Sequence, residues 1–261
     1  MHETEGHIEA TESSGAFGAP RIPTRPITWS TTAEAKPHKP SEFESVLLAI
    51  AGHDLRQPLQ VIQSAHEFLS RNVRTTSELR QLRSSKIAID RLRDQLDELV
   101  AALQLREHVK GAKLTPVRVG PLLEQVTCEN AVAAQRKGVS IRMAPTSATI
   151  ESDSLLLGTV LRNLVSNAVK YTQTGGRVLL GCRHTCHSVR IDVYDTGIGI
   201  AEDQLPRMFH AFTCLGPARR DSLGIGLFIV RQAIGILGHR IDVASTPRRG
   251  SRFSVFASRA E

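Results

Sequence analysis

The chain has 261 residues with 41% apolar content, enough for one or two globular domains, and no apolar run nears the roughly 20 residues of a membrane helix. Met1–Ala10 holds three Glu and no Lys or Arg, and no apolar stretch follows, so it does not read as a secretory leader; the expected location is cytoplasmic, with no membrane span. The net charge is +7, and nine Arg lie beyond Gln204, but no aromatics interleave with them, so nucleic acid is not an expected partner.

Residues 1–42 are rich in Thr, Ser, Pro, Ala and Glu and read as a disordered or loosely structured tail carrying the one tryptophan, Trp29. Apolar periodicity then starts. Leu48, Gly52, Leu55, Leu59, Ile62, His66, Leu69 and Val73 alternate by four and three, a heptad seam on a long helix. A second seam runs through Leu82, Ser85, Ile89, Leu92, Leu96, Leu99 and Leu103. Thr75 and Glu78 between them form a capping-box signal. Two such helices make a hairpin over 43–107 whose apolar stripe one chain cannot cover, so a homodimeric four-helix bundle is expected.

Beyond Gly111 the pattern changes. Helices are expected over Pro121–Lys137, Asp153–Tyr171 (with Asp153 as N-cap) and Gly226–Leu237. Strands are expected at Val139–Met143, Thr149–Ile150, Arg177–Arg183, Ser188–Tyr194, Arg240–Ser245 and Ser251–Ser258. This mixture predicts an α+β fold in which the helical hairpin precedes an α/β sandwich over 115–258. The four cysteines read as reduced thiols, and the spacing Cys182, His184, Cys186, His187 matches no standard zinc pattern.

Four local patterns carry chemistry, and each also has a plain structural reading. His53 and Asp54, followed by Gln57 and Pro58, fall on the outward side of the first helix. An exposed imidazole is a nucleophile near neutral pH, although a surface His beside a surface Asp fits as well. Asn163, Asn167, Lys170 and Tyr171 share one helical face, suited to Mg²⁺ and phosphate or simply to solvent. Asp195-Thr-Gly197-Ile-Gly199 ends a strand, where a carboxylate can accept an exocyclic amine; it is also ordinary turn chemistry. Gly224-Ile-Gly226 opens a helix whose free N–H groups suit phosphate oxygens, or form a tight loop.

In order and spacing these patterns resemble the bacterial sensor histidine kinases over residues 43–257. His53-Asp54…Pro58 looks like the phosphoacceptor box, and Asn163…Asn167…Lys170-Tyr171 like the Asn box. Asp195-x-Gly197-x-Gly199, Phe209 with Phe212, and Gly224-x-Gly226 look like the first Gly, Phe and second Gly boxes. The resemblance implies an ATP-binding domain of the Hsp90, gyrase and MutL type, with ATP and Mg²⁺ as cofactors. It implies His53 as phosphoacceptor, Asp54 as its orienting or deprotonating partner, and Asn167 as the Mg²⁺ ligand. Asn163, Lys170 and Tyr171 would meet phosphates, Asp195 the adenine amine, and Gly197, Gly199, Gly224 and Gly226 the nucleotide's close approach. Arg219 or Arg220 would serve from a lid over roughly 203–223. The implied partners are a response regulator, docking near His53, Asp54, Arg56 and Gln57, and a separate sensor or input protein. Gln57 stands where many members carry Thr or Asn, and Ser222 replaces a frequent glycine. A conformational ATPase of the same superfamily and a non-catalytic ATP-binding dimerisation module are the competing readings; the His-bearing hairpin weighs against the first, and His53 with Asn167 against the second.

Overall fold

A computed structural model describes residues 27–29, 59–71, 75–107, 112–185, 188–211, 213 and 224–260. His53, Asp54, Gln57, Phe212, Arg219, Arg220 and Ser222 lie outside these residues. Strand β1 (Ile27–Trp29) comes first, then helical residues 59–70 (α1) and helix α2 (Thr76–Glu107). The capping box forms as the sequence predicts: the Thr75 N–H donates to Glu78 Oε2 at 2.9 Å, and the Glu78 N–H to Thr75 Oγ1 at 3.2 Å. Across the hairpin, His66 Nε2 lies 2.6 Å from the Leu82 carbonyl oxygen.

The heptad seams divide into two sets. Leu59, Ile89 and Leu96 are buried together inside one hairpin. Ile62, Leu69 and Leu92, seam positions too, stay about half exposed, alongside Val61, Phe68 and Ile87. Among the described residues no helix is long and apolar enough to cross a membrane.

Strands β2 (Thr115–Arg118) and β4 (Thr149–Ser152) pair as a small antiparallel sheet. Helix α3 (Val119–Lys137) runs into strand β3 (Ser140–Met143), and helix α4 (Ser154–Tyr171) into strands β5 (Arg177–His184) and β6 (Ser188–Asp195). A single 3₁₀ turn covers Leu205–Arg207. Helix α5 (Gly226–Leu237) and strands β7 (Arg240–Thr246) and β8 (Gly250–Ser258) complete the chain. The large sheet has the order β1-β7-β8-β6-β5-β3, with β3 parallel to β5 and the other pairs antiparallel. Strand β1 falls within the segment read as a loosely structured tail; it adds to the outer edge of β7, with Thr28 opposite Asp242.

One apolar core joins the helices to the sheet. Val189, Ile191 and Val193 alternate inward on β6, opposite Ala257, Val255 and Phe253 on β8, and meet Leu161, Leu164 and Val165 of α4 and Ile229 and Ala233 of α5 in the same cluster. Leu105 of α2 belongs to this core as well, where α2 meets α5. Buried His239, just before β7, bonds Ser152 Oγ of β4 through Nε2 at 2.9 Å and so ties the small sheet to the large one; burial pushes its imidazole down to about 4.

The turn from β7 to β8 needs Gly250, which has φ +99° and lies against the Asp195 backbone carbonyl where a Cβ would overlap. Gly250→Ala therefore combines backbone strain with a clash that rigid strands cannot relieve. Urea unfolding is expected to show a loss of about 2–4 kcal/mol; a loss near zero would mean that the turn relaxes.

Candidate nucleotide-binding site

The site is assembled from α4 upward. Asp153 caps the helix, its Oδ1 accepting the Leu155 and Leu156 N–H groups at 3.0 and 3.2 Å. That fixes the helix's rotation: Leu161, Leu164, Val165 and Ala168 turn into the core, while Asn163, Asn167, Lys170 and Tyr171 lie on its part-exposed side. A cleft opens between the end of α4, the loop after β6 and the start of α5. Its walls include Asn167, Tyr171, Asp195, Ile198, Gly199, Thr213, Gly224, Gly226, Leu227, Ser251 and Phe253.

The structure thus brings six of the sequence-derived residues onto one cleft: Asn167, Tyr171, Asp195, Gly199, Gly224 and Gly226. Asn163, Lys170 and Gly197 do not line it but neighbour residues that do. Asn163 donates through Nδ2 to the Thr159 carbonyl at 2.9 Å, and its Oδ1 would lie 2.9 Å from a Cβ at Gly226. Glycine at 226 therefore lets the start of α5 come against the Asn face of α4. The Lys170 ammonium sits 5.8 Å from the centre of the Tyr171 ring. Gly197 tucks under the Tyr171 carbonyl, where a Cβ would collide, and its N–H donates to Asp195 Oδ1 at 2.8 Å. At the start of α5 the cap residue, Ile225, makes no side-chain cap hydrogen bond. Gly226 and Leu227, in the first turn of α5, line the cleft, and a helix's first-turn N–H groups have no intrahelical acceptor.

Asp195 is 5% exposed, at the deep end of β6. Burial pushes its carboxyl up to about 6, against the pull of hydrogen bonds from Gly197 and Ser251. The strand register explains Ser251: it lies opposite Asp195 on β6 and opposite Ser245 on β7. Ser245 Oγ in turn accepts the Ile200 N–H at 2.8 Å, and the Arg248 N–H donates to the Ile198 carbonyl at 2.7 Å. The glycine loop is therefore held to the β7–β8 turn. Ser245, Ser251 and Phe253 were not singled out from the sequence; they reach the site by register across the sheet. Phe209, of the Phe box, is fully buried in the core beside Met208.

Among the described residues no group of three or more His, Cys, Asp and Glu could hold a metal ion. A lone amide oxygen such as that of Asn167 fits Mg²⁺, which keeps most of its ligands as water and phosphate oxygen.

Residues 152–261 match the family of histidine kinase-, DNA gyrase B- and HSP90-like ATPases. The chain is 28% identical over 220 residues to the sensor histidine kinase AtsR of Burkholderia thailandensis, covering 81% of this chain and 36% of that protein. It is 30% identical over 213 residues to the sensor-like histidine kinase SenX3 of Mycolicibacterium smegmatis, covering 80% and 56%. It therefore spans between about a third and just over half of these relatives. Full-length ShkA, solved in complex with AMPPNP, superposes with a TM-score of 0.62 at 29% identity, covering 83% of this chain and 46% of that one. Acinetobacter baumannii histidine kinase AdeS shares the fold, with a TM-score of 0.53 at 19% identity, covering 80% and 98%. With a cleft built from the Asn and Gly boxes on this fold, residues 152–261 fall with the histidine kinase-, DNA gyrase B- and HSP90-like ATPases, and the chain is similar to bacterial sensor histidine kinases.

Proposed function

We propose that the chain is an ATP-dependent protein-histidine kinase that phosphorylates His53 and passes the phosphoryl group to an aspartate of a separate response regulator. The observation that carries the reading is the convergence on one cleft of a buried carboxylate (Asp195), an amide (Asn167) and the uncapped start of α5. These are an acceptor for the adenine amine, a ligand for a phosphate-bound cation, and N–H donors for phosphate oxygens. Lys170, whose ammonium lies 5.8 Å from the Tyr171 ring centre, would supply positive charge toward the phosphates. Mg²⁺, held by Asn167 and phosphate oxygens, would neutralise charge on the phosphates. His53 attacks the γ-phosphorus through the Nε2 lone pair; the bond to the β–γ bridging oxygen breaks, and ADP leaves. Asp54 takes the proton that the phosphorylated imidazole releases. Transfer of this kind rests on positioning and charge neutralisation more than on covalent catalysis. Incubation with Mg²⁺ and γ-labelled ATP should give acid-labile, base-stable label on the protein; no label, or an acid-stable one, would overturn the reading.

The helical hairpin points to a homodimer. Ile62, Leu69 and Leu92 are seam positions that one chain leaves open, and a second copy related by a twofold axis covers them. The burial pattern decides which seam leucine reports on assembly. Leu96 is buried within one hairpin, so a charge there would break the hairpin itself. Leu92→Asp, at an exposed seam position, is expected to shift the protein from dimer to monomer in light scattering with the ATP-binding domain still folded. A dimer unchanged at micromolar concentration would place the interface elsewhere.

A further inference from the structure

We propose that Lys137 is a positioning residue for the nucleotide: its ammonium clamps the C-terminal carbonyls of α4 and so sets the Asn-box residues against the glycine loop. The inference rests on the ATP-binding reading of the cleft and adds a residue outside all five boxes.

A helix leaves its last four carbonyls without intrahelical donors. For α4 these are the carbonyls of residues 168 to 171, and the structure supplies a donor to each. The Ala168 carbonyl accepts the Thr172 N–H at 3.1 Å. Lys137 Nζ, from the last turn of α3, donates to the Val169 carbonyl at 3.0 Å and to the Lys170 carbonyl. The Tyr171 carbonyl accepts the Ile198 N–H at 3.2 Å. One side chain thus meets two of the four, and the glycine loop meets the last. The flanking chain follows the same seam: the Gly175 N–H donates to the Gly138 carbonyl at 2.8 Å, and the Ser140 N–H to the Gly176 carbonyl at 3.0 Å.

The clamp fixes where α4 ends, and the cleft begins at that end. Tyr171, Ile198 and Gly199 line it, and Lys170 stands beside Tyr171. With Asp153 at its N-terminus and Lys137 at its C-terminus, α4 carries a charge of the favourable sign at each end of its dipole. The arrangement has a cost that an ordinary surface lysine avoids. Burial, and then the positive charge of Lys170, pull the Lys137 ammonium below its usual range. Neutralising Lys137 leaves two carbonyls without donors and frees the last turn to fray, which moves Tyr171 and loosens its contact with the glycine loop. Binding suffers first, because no group that touches the transferring phosphoryl is lost.

The test compares the full-length wild type with Lys137→Met and Lys137→Arg. The expected result for Lys137→Met is a KM for ATP raised about 10-fold, matched by weaker binding of a fluorescent ATP analogue, with kcat changed about 2-fold or less. Arginine also donates to two carbonyls, so Lys137→Arg should return KM to within about 3-fold of wild type. Should the methionine variant fail to fold, Lys137→Gln against Lys137→Arg gives the same comparison. A methionine variant with wild-type KM and analogue affinity overturns the role of Lys137 alone. So does an arginine variant as impaired as the methionine one, since packing rather than donation would then be at work. A wild type that binds no nucleotide overturns both this inference and the kinase reading.

Discussion

His53→Gln is expected to abolish acid-labile labelling while leaving nucleotide affinity within about 2-fold of wild type, because it would remove the proposed attacking nitrogen and no residue of the nucleotide cleft. The expectation follows from the division of the chain. The cleft is built wholly from residues of the sandwich, between Asn167 and Phe253, whereas His53 lies upstream of the described hairpin residues. Two of the other histidines offer poor substitutes. His66 is occupied with the Leu82 carbonyl across the hairpin, and His239 is buried against Ser152 between the two sheets. Label that persists on histidine in the variant would move the phosphoacceptor elsewhere; loss of analogue binding along with label would mean that position 53 supports the fold instead.

The parts of the fold that were legible in the sequence are those with a local cause. Helix α5 matches its predicted span, Gly226–Leu237, and the Asp153 cap of α4 and the Thr75–Glu78 capping box both form. Strands β5 to β8 lie within a residue or so of their predicted ends because their alternation is regular. Two strands had no such signal. Strand β1 is three residues following Pro26, too short for a period, and exists through the open edge of β7. Strand β2 contains Pro116 and buries only Val117, and it is defined by its pairing with β4.

The site divides in the same way. Asn167 and Asp195 are visible in their boxes, but Ser251 acts by register across the sheet and Lys137 by packing between two helix ends. Neither relation is written in local sequence. Of the heptad seam positions on α1 and α2 only Leu59, Ile89 and Leu96 are buried among the described residues, and only tertiary packing decides that Leu96 faces its own hairpin while Leu92 stays open.

Asp195→Asn is expected to make the nucleotide-free protein more stable at pH 7 while weakening ATP, a trade that marks the carboxylate as kept for binding. In the folded chain burial makes the Asp195 carboxyl titrate near 6, against an ordinary 3.8. Between those values the folded state holds the proton that the unfolded state has lost, so stability falls as pH rises from about 4 to 6 and stays reduced above that. The displacement corresponds to about 3 kcal/mol at neutral pH, and asparagine, which bears no charge but still accepts the Gly197 N–H, should recover about 1–3 kcal/mol of it. His239 works in the opposite sense. Its imidazole is held down to about 4 from 6.5, so the unfolded state binds its proton first and stability falls as pH drops through that window. In the wild type the two slopes largely offset each other between pH 4 and 6. Removing the Asp195 charge leaves the His239 slope alone, so thermal midpoints of Asp195→Asn should exceed wild type at pH 7 and converge on it toward pH 4. In the same measurements Asp195→Ala should bind ATP about 10- to 100-fold more weakly, the cost of an adenine amine left without its acceptor. Wild-type affinity should itself fall below pH 6 as the carboxyl takes up a proton. Calorimetry showing unchanged ATP affinity in Asp195→Ala would remove the carboxylate from adenine recognition, and an Asp195→Asn protein less stable than wild type at pH 7 would show that the buried charge is compensated by its two hydrogen-bonding neighbours, Gly197 and Ser251.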